Sequence, residues 1–221
     1  MLRFLPLAIY YFLSFQVKAD IFFEISPEII ECYRSGISFN ITKMDADLDK
    51  LRKYQANNGF ILLLENYRET ILLLANEDHQ AYRIALAAKN TRIERLKLAE
   101  DKSPYKYWCL AEVYLQWTLI RIRYHDEYRA ANDLRKANNY LVDCRNNYQW
   151  FYLSDKTLAI IEALSSAVPN QYRWLANIAG LKGKKTDALQ RLRFLKNKLD
   201  KEKTFNFLSP EIEFYILFIS R

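Results

Sequence analysis

The chain has 221 residues, enough for one or two domains with a closed core, and 51% of them are apolar and 15% aromatic. Only four Gly and five Pro are present, with long stretches free of both, which excludes a turn-rich β fold and points to an all-helical one. A net charge of +7 is modest and predicts no nucleic-acid partner.

In chain order, residues 1–19 read as a secretory signal. Arg3 supplies a thin positive start and residues 4–15 a short apolar core, while Val17 and Ala19 place small residues three and one before a cut at Asp20. The apolar stretch is shorter than the about 20 residues that span a bilayer. The expectation is an exported protein, periplasmic or associated with the outer membrane, whose folded domain is residues 20–221. Loss of Arg3 and Lys18 with the leader lowers the positive charge by two, and export argues further against nucleic acid. Cys32, Cys109 and Cys144 would remain, an odd number that leaves at least one thiol unpaired in an oxidising compartment. Cys109 and Cys144 share their apolar rows with Leu and Tyr, the pattern of small buried hydrophobes, with a disulfide as the alternative.

Ser26-Pro27-Glu28 has the form of a helix start, and that helix is expected to stop at Gly36. Met44, Leu48, Leu51 and Tyr54 predict a second amphipathic helix, ended by Asn57-Asn58-Gly59. These two form a first helical pair. Residues 60–75 are apolar on nearly every side, which predicts a buried helix. Its partner is expected over 79–101, with Tyr82, Ile84, Ala85, Ala88 and Leu96 inside and a charged outer face. Ser103-Pro104 opens a third pair over 105–147. Shorter helices follow over 155–166, 171–180 and 184–199, the last with Ala188, Leu192, Leu195 and Leu199 on its inner stripe. Ser209-Pro210-Glu211 opens a final helix that is apolar without a break from Phe214 to Ile219. Such a helix folds back into the core, is covered by a partner, or continues into further sequence, and it is read as an interface through which the chain could form oligomers.

Tyr107, Leu110, Ala111 and Tyr114 fall at the spacing of the first helix of a tetratricopeptide repeat, and Tyr128 and Ala131 fall near that of the second. Tyr172, Leu175, Ala176, Ala179, Ala188 and Leu192 repeat the pattern, with Ala111 and Ala176 at the close-approach positions. The segments 107–116, 134–137 and 174–189 resemble exported tetratricopeptide-like proteins of Bacteroidota-type bacteria. More distantly, they are similar to a eukaryotic outer-membrane and inclusion-body-associated tetratricopeptide family. The resemblance implies a right-handed stack of antiparallel helical pairs, about ten helices in all, acting as a scaffold without catalytic residues. It rests on packing residues and carries no functional ones.

Few constellations suggest chemistry. Residues 180–186 lack the first Gly and the hydroxyl of a phosphate loop, since Ile178 and Lys185 stand in those places, so the glycines are read as a turn needing positive φ. His79 beside Glu77 and Asp78, and His125 beside Asp126 and Glu127, are read as turn residues that cap helices. Glu65 and Glu112 are the candidate acids, since both lie on otherwise apolar first helices, and each is expected to meet an Arg or Tyr of a neighbouring pair, with Arg68, Arg121 and Arg135 at hand. The basic run over 182–203 leaves a cationic outer face, which could also dock on acidic protein or anionic lipid.

The chain therefore reads as all-α, a non-enzymatic module for protein partners, with no cofactor or metal assigned. The alternative is a protein resting on a membrane or envelope surface through the basic helix and the apolar last helix. Candidate partner-binding residues are Glu112, Lys184, Lys185, Arg191, Phe214 and Phe218.

Overall fold

The structure, a computed structural model, describes residues 20–100, 102–168, 173 and 183–221. Among these residues nine α-helices follow in order: α1 (Pro27–Ile37), α2 (Ile41–Tyr54), α3 (Gly59–Asn76), α4 (His79–Lys97), α5 (Pro104–Arg123), α6 (Glu127–Asn147), α7 (Ser154–Ser166), α8 (Lys185–Leu199) and α9 (Ser209–Ser220). A 3-10 turn at Asn206–Leu208 leads into α9. No strand occurs among the described residues, where Phe22 and Asn58 form one isolated bridge. The expected leader and the helix over 171–180, with its close-approach Ala176, lie outside the described residues except for Arg173.

Side-chain caps decide several boundaries. Ser26 accepts a hydrogen bond from the Ile29 amide at 3.3 Å, so the first Ser-Pro start works as expected. The other two do not, since neither α5 nor α9 has a side-chain cap; Ser209 instead donates to Asp200. Asn58, expected to end α2, opens α3 by accepting from the Phe60 amide. α1 runs one residue past Gly36, and the reversal falls on Phe39, at φ 58°. Gly183 is required by close approach and not by a positive φ: a β-carbon there would stand 2.2 Å from the carbonyl oxygen of Glu162.

The odd-numbered helices neighbour one another, α1 on α3, α3 on α5, α5 on α7 and α7 on α9, while α2, α4 and α6 flank them. α5 lies in the middle, packed by α3, α4, α6 and α7, and fifteen of its twenty residues are buried. Ala111 has no exposed surface there, nor has Ala137 on the α6 side. The inner stripe of α6 is Ala130, Leu134, Ala137, Leu141 and Cys144, stepping by four and three. Tyr128 is 69% exposed, so the repeat spacing set on Tyr128 and Ala131 is out of register with the observed face.

α4 differs more. Ile84, expected inside, is 67% exposed, whereas Lys89 and Arg92, expected outside, are buried together with Ala85, Ile93 and Leu96. The reason is that α3 and α6 present carboxylates to both cations. All three cysteines are free and buried, as the small-hydrophobe pattern suggests.

The ends of the described fold meet. Tyr33 of α1 donates a 2.5 Å hydrogen bond to Glu211 of α9, and its ring packs edge-on against Phe207 at 5.4 Å. In an open stack each pair touches only its neighbours, so this closure is a departure from the expected one.

Candidate functional site

The closure brings ionisable groups from five helices into one buried cluster. Lys156, on the first turn of α7, is 2% exposed at its side chain and lies between Glu112 of α5 and Glu211 of α9. An ammonium has three protons to donate, and three acceptors surround it: Glu112 Oε2 at 2.9 Å, Tyr67 Oη at 2.9 Å and Glu211 Oε2 at 3.1 Å. The carboxylates are further supplied by hydroxyls. Tyr33 donates to Glu211, Thr157 donates to Glu112, and the Tyr67 hydroxyl lies within reach of both. Trp108 Nε1 donates to Thr157 at 3.1 Å, which extends the network into the α5–α7 crossing.

Sequence places these groups by simple means. Glu112 follows the small Ala111, where helices approach closely, and Glu211 sits in the first turn of α9, near the positive helix end. Burial alone would lower the Lys156 pKa, but Glu112 and then Glu211 outweigh it and hold the ammonium above its ordinary value. Burial, reinforced by Glu211 and Glu112, holds Tyr33 and Tyr67 well above the usual phenol range, and Tyr215 behaves likewise. Within this cluster Lys156, both carboxylates and the Tyr33, Tyr67 and Thr157 hydroxyls all have partners, the arrangement of a structural ion triad. A cavity of about 30 Å³, lined in part by Tyr33, Tyr67 and Lys156, lies beside it and is the size of a single water.

Two further clusters join the pairs. Lys89 donates to Asp133 at 2.5 Å and stands 5.0 Å from the Trp117 ring and 5.4 Å from that of Tyr114. Its pKa is pushed down to about 8 by burial, against the pull of Asp133. Arg121 joins this group, 2.7 Å from Asp133 and 2.9 Å from Asp126. In the other, Arg92 binds Glu69 at 2.5 Å and Glu65 at 3.5 Å, beside a chain in which Trp117 and Gln116 bracket Asn66.

The candidate residues divide accordingly. Glu112 is buried and cannot meet an external partner; its cation is Lys156, not Arg68, Arg121 or Arg135, which bind Asp45, Asp126 with Asp133, and Asn132. Glu65 does meet arginines, Arg52 and Arg92. Arg191 does not lie on the cationic outer face but turns to α7, where it binds Glu162 and Asp155. Lys184 and Lys185 are exposed, and so are Phe214 at 58% and Phe218 at 66%. Leu217, 63% exposed, completes their row, and the two rings stack at 6.0 Å.

The histidine turns meet: His79 packs edge-on against Tyr124 at 5.2 Å, and Asp78 accepts from the Gln80 and Ala81 amides as a cap. Among the described residues no group of three His, Cys, Asp or Glu could hold a metal ion. A groove of about 940 Å³ runs along α1 and α2, and charges of both signs line it, Glu31, Arg34, Asp47 and Lys50 among them. No helix among the described residues is long and apolar enough to cross a membrane.

Sequence reasoning singled out Glu112 and missed Lys156 and Glu211. The available signal was a lone Lys just before the apolar run 158–161, the counterpart of the lone Glu in α5. No known protein family matches the chain, and neither a curated protein nor a solved structure is significantly similar to it.

Proposed function

We propose that this chain is an exported, non-enzymatic interaction module built from stacked helical pairs of tetratricopeptide-like type, and that it engages protein partners through the outer face of α9. The observation that carries the reading is the division of that helix. Glu211 and Ile212 are held in the core while Phe214, Leu217 and Phe218 face water. Roughly 300–400 Å² of apolar surface in one row is the size of the largest patch on a typical monomer, which is often functional. The buried ion triad supports the same reading, because one ammonium and two carboxylates that also accept from hydroxyls hold α9 against α7 and α1.

Pull-down from envelope fractions tests it: a Phe214→Ser/Phe218→Ser variant with unchanged helicity should lose the proteins that the parent chain captures. Equal capture by both would overturn the reading. Export is tested separately, since mass spectrometry of the secreted chain should start at Asp20, and an intact Met1 would count against it.

A second reading is favoured by one observation. α8, which packs on α9, exposes Lys185, Arg193 and Phe194, so a cationic helix and an aromatic face are adjacent. Salt-sensitive co-sedimentation with anionic lipid vesicles, lost on Lys184→Glu/Lys185→Glu, would support a membrane-surface role.

A further inference from the structure

The exposed half of α9 has an order that goes beyond its apolarity. Successive helical residues are 100° apart, so Pro210, Phe214 and Leu217, spaced four and three, form one straight row, which Arg221, the residue capping α9, continues at a further step of four. Glu213 and Phe218 flank it, and all six are exposed. Glu211, Ile212, Tyr215, Ile216 and Ile219 occupy the opposite half, turned to the core. The row therefore has an acid at its amino-terminal end, three large apolar side chains in the middle and a base at its carboxyl-terminal end. Neither Glu213 nor Arg221 has an ion pair among the described residues; Lys196 of α8 feels the Glu213 charge but is itself paired with Asp200, the residue that caps α8.

We propose that the partner fitted to this face is a second copy of the same chain, with the two α9 helices packed antiparallel about a two-fold axis near Leu217. This inference rests on the reading of α9 as the docking face. Antiparallel pairing sets residue 217 − n of one copy beside 217 + n of the other, so Glu213 of each copy faces Arg221 of its mate. Both charge pairs form at once, as an isologous interface requires. A parallel pairing would set Glu213 against Glu213 and Arg221 against Arg221. Phe214 and Phe218 of the two copies then interdigitate around Leu217, in the 3–4 spacing that packs helices along a seam. Two copies would bury about 600–800 Å² in total, below the roughly 1,200 Å² of a stable specific interface, so the dimer is weak and forms at high micromolar concentration.

Sedimentation velocity of the full-length chain between about 10 and 500 µM tests this by a charge exchange across the axis. Glu213→Arg and Arg221→Glu should each weaken self-association by roughly tenfold, because attraction becomes repulsion at both ends of the interface. Mixed in equal amounts, the two variants should associate as well as the parent does, since each supplies the charge the other lacks. Recovery on mixing also shows that both variants are folded at this face. A parent that stays monomeric throughout overturns the second copy; if envelope pull-down still depends on Phe214 and Phe218, the interaction-module reading survives that result, and if it does not, both fall. Association that the charge reversals leave unchanged, such as contact through the apolar residues 1–19, overturns the inference as well.

Discussion

α5 and α9 teach by contrast. α9 has six apolar residues in succession and hides only two of its twelve residues, while α5 is interrupted by Glu112, Gln116 and Thr118 and hides fifteen of twenty, those three included. Burial follows the number of neighbours and not the apolarity of the run. Four helices surround α5, whereas α9 is covered on one half by α7, α8 and the Tyr33 side chain. A helix enclosed on all sides must satisfy whatever polar groups it carries, and those groups then join distant segments. A half-covered helix keeps its spare apolar surface for another molecule.

The contrast breaks most visibly at Lys156. Lys156→Met keeps the volume but leaves Glu112 and Glu211 buried without a cation, a change expected to cost about 3–5 kcal/mol. Denaturant unfolding checks it; a loss under about 1 kcal/mol would mean that the triad is not the joint between α5 and α9.

Alkaline titration probes the enclosed side. Burial raises the thiol pKa of Cys32 to about 12 and of Cys144 to about 11, and holds Cys109 well above its ordinary 9. The folded chain therefore keeps protons that the unfolded chain gives up, and stability present below pH 9 is lost as pH rises. Each thiol contributes up to about 1.4 kcal/mol per pH unit above 9. Lys89 acts oppositely: with a folded pKa of about 8, below its unfolded 10.5, it adds about 1.4 kcal/mol per unit between those values. The net expectation is a loss of up to about 3 kcal/mol between pH 9 and 10, steeper above 10 as the unfolded chain ionises Tyr33, Tyr67 and Tyr215. Urea midpoints at pH 7.5, 9 and 10 measure it, and Cys109→Ala should flatten the slope.

Ala111→Leu sharpens the comparison on a smaller scale. The site is fully buried at the crossings of α5, and overpacking it should cost about 1–3 kcal/mol. An unfolding curve matching that of the parent would show that α5 has room that its burial denies. The smallest effect is expected on α9, where Phe218→Ser should change stability by no more than about 0.5 kcal/mol. A larger loss would show that this ring is already packed within the chain.

Helix existence was legible because the apolar spacing repeats at three and four residues, as in Met44, Leu48 and Leu51 of α2 or Ala188, Leu192, Leu195 and Leu199 of α8. Caps were legible where a side chain competes locally for amides, as at Ser26, and misleading where the hydroxyl finds a distant carboxylate, as at Ser209. Glu112 stood out because an acid amid apolar neighbours needs a partner. Lys89 and Arg92 did not, because a cation on a helix that also carries exposed charges has the same pattern whether it faces water or a buried carboxylate.

What the sequence determined by itself is local: among the described residues, helices and no strands, the order of those helices, and the covered rows of helices such as α2 and α8, though not those of α4 and α6. Those properties depend on propensity and periodicity within one helix. The tertiary structure alone decided that Lys156 serves both Glu112 and Glu211, that Tyr33 meets α9 178 residues away, and that Phe214, Leu217 and Phe218 stay in water. The physical reason is that pairing a buried charge and covering an apolar face depend on which surfaces arrive from elsewhere in the chain, and no window of sequence contains both sides of such a contact.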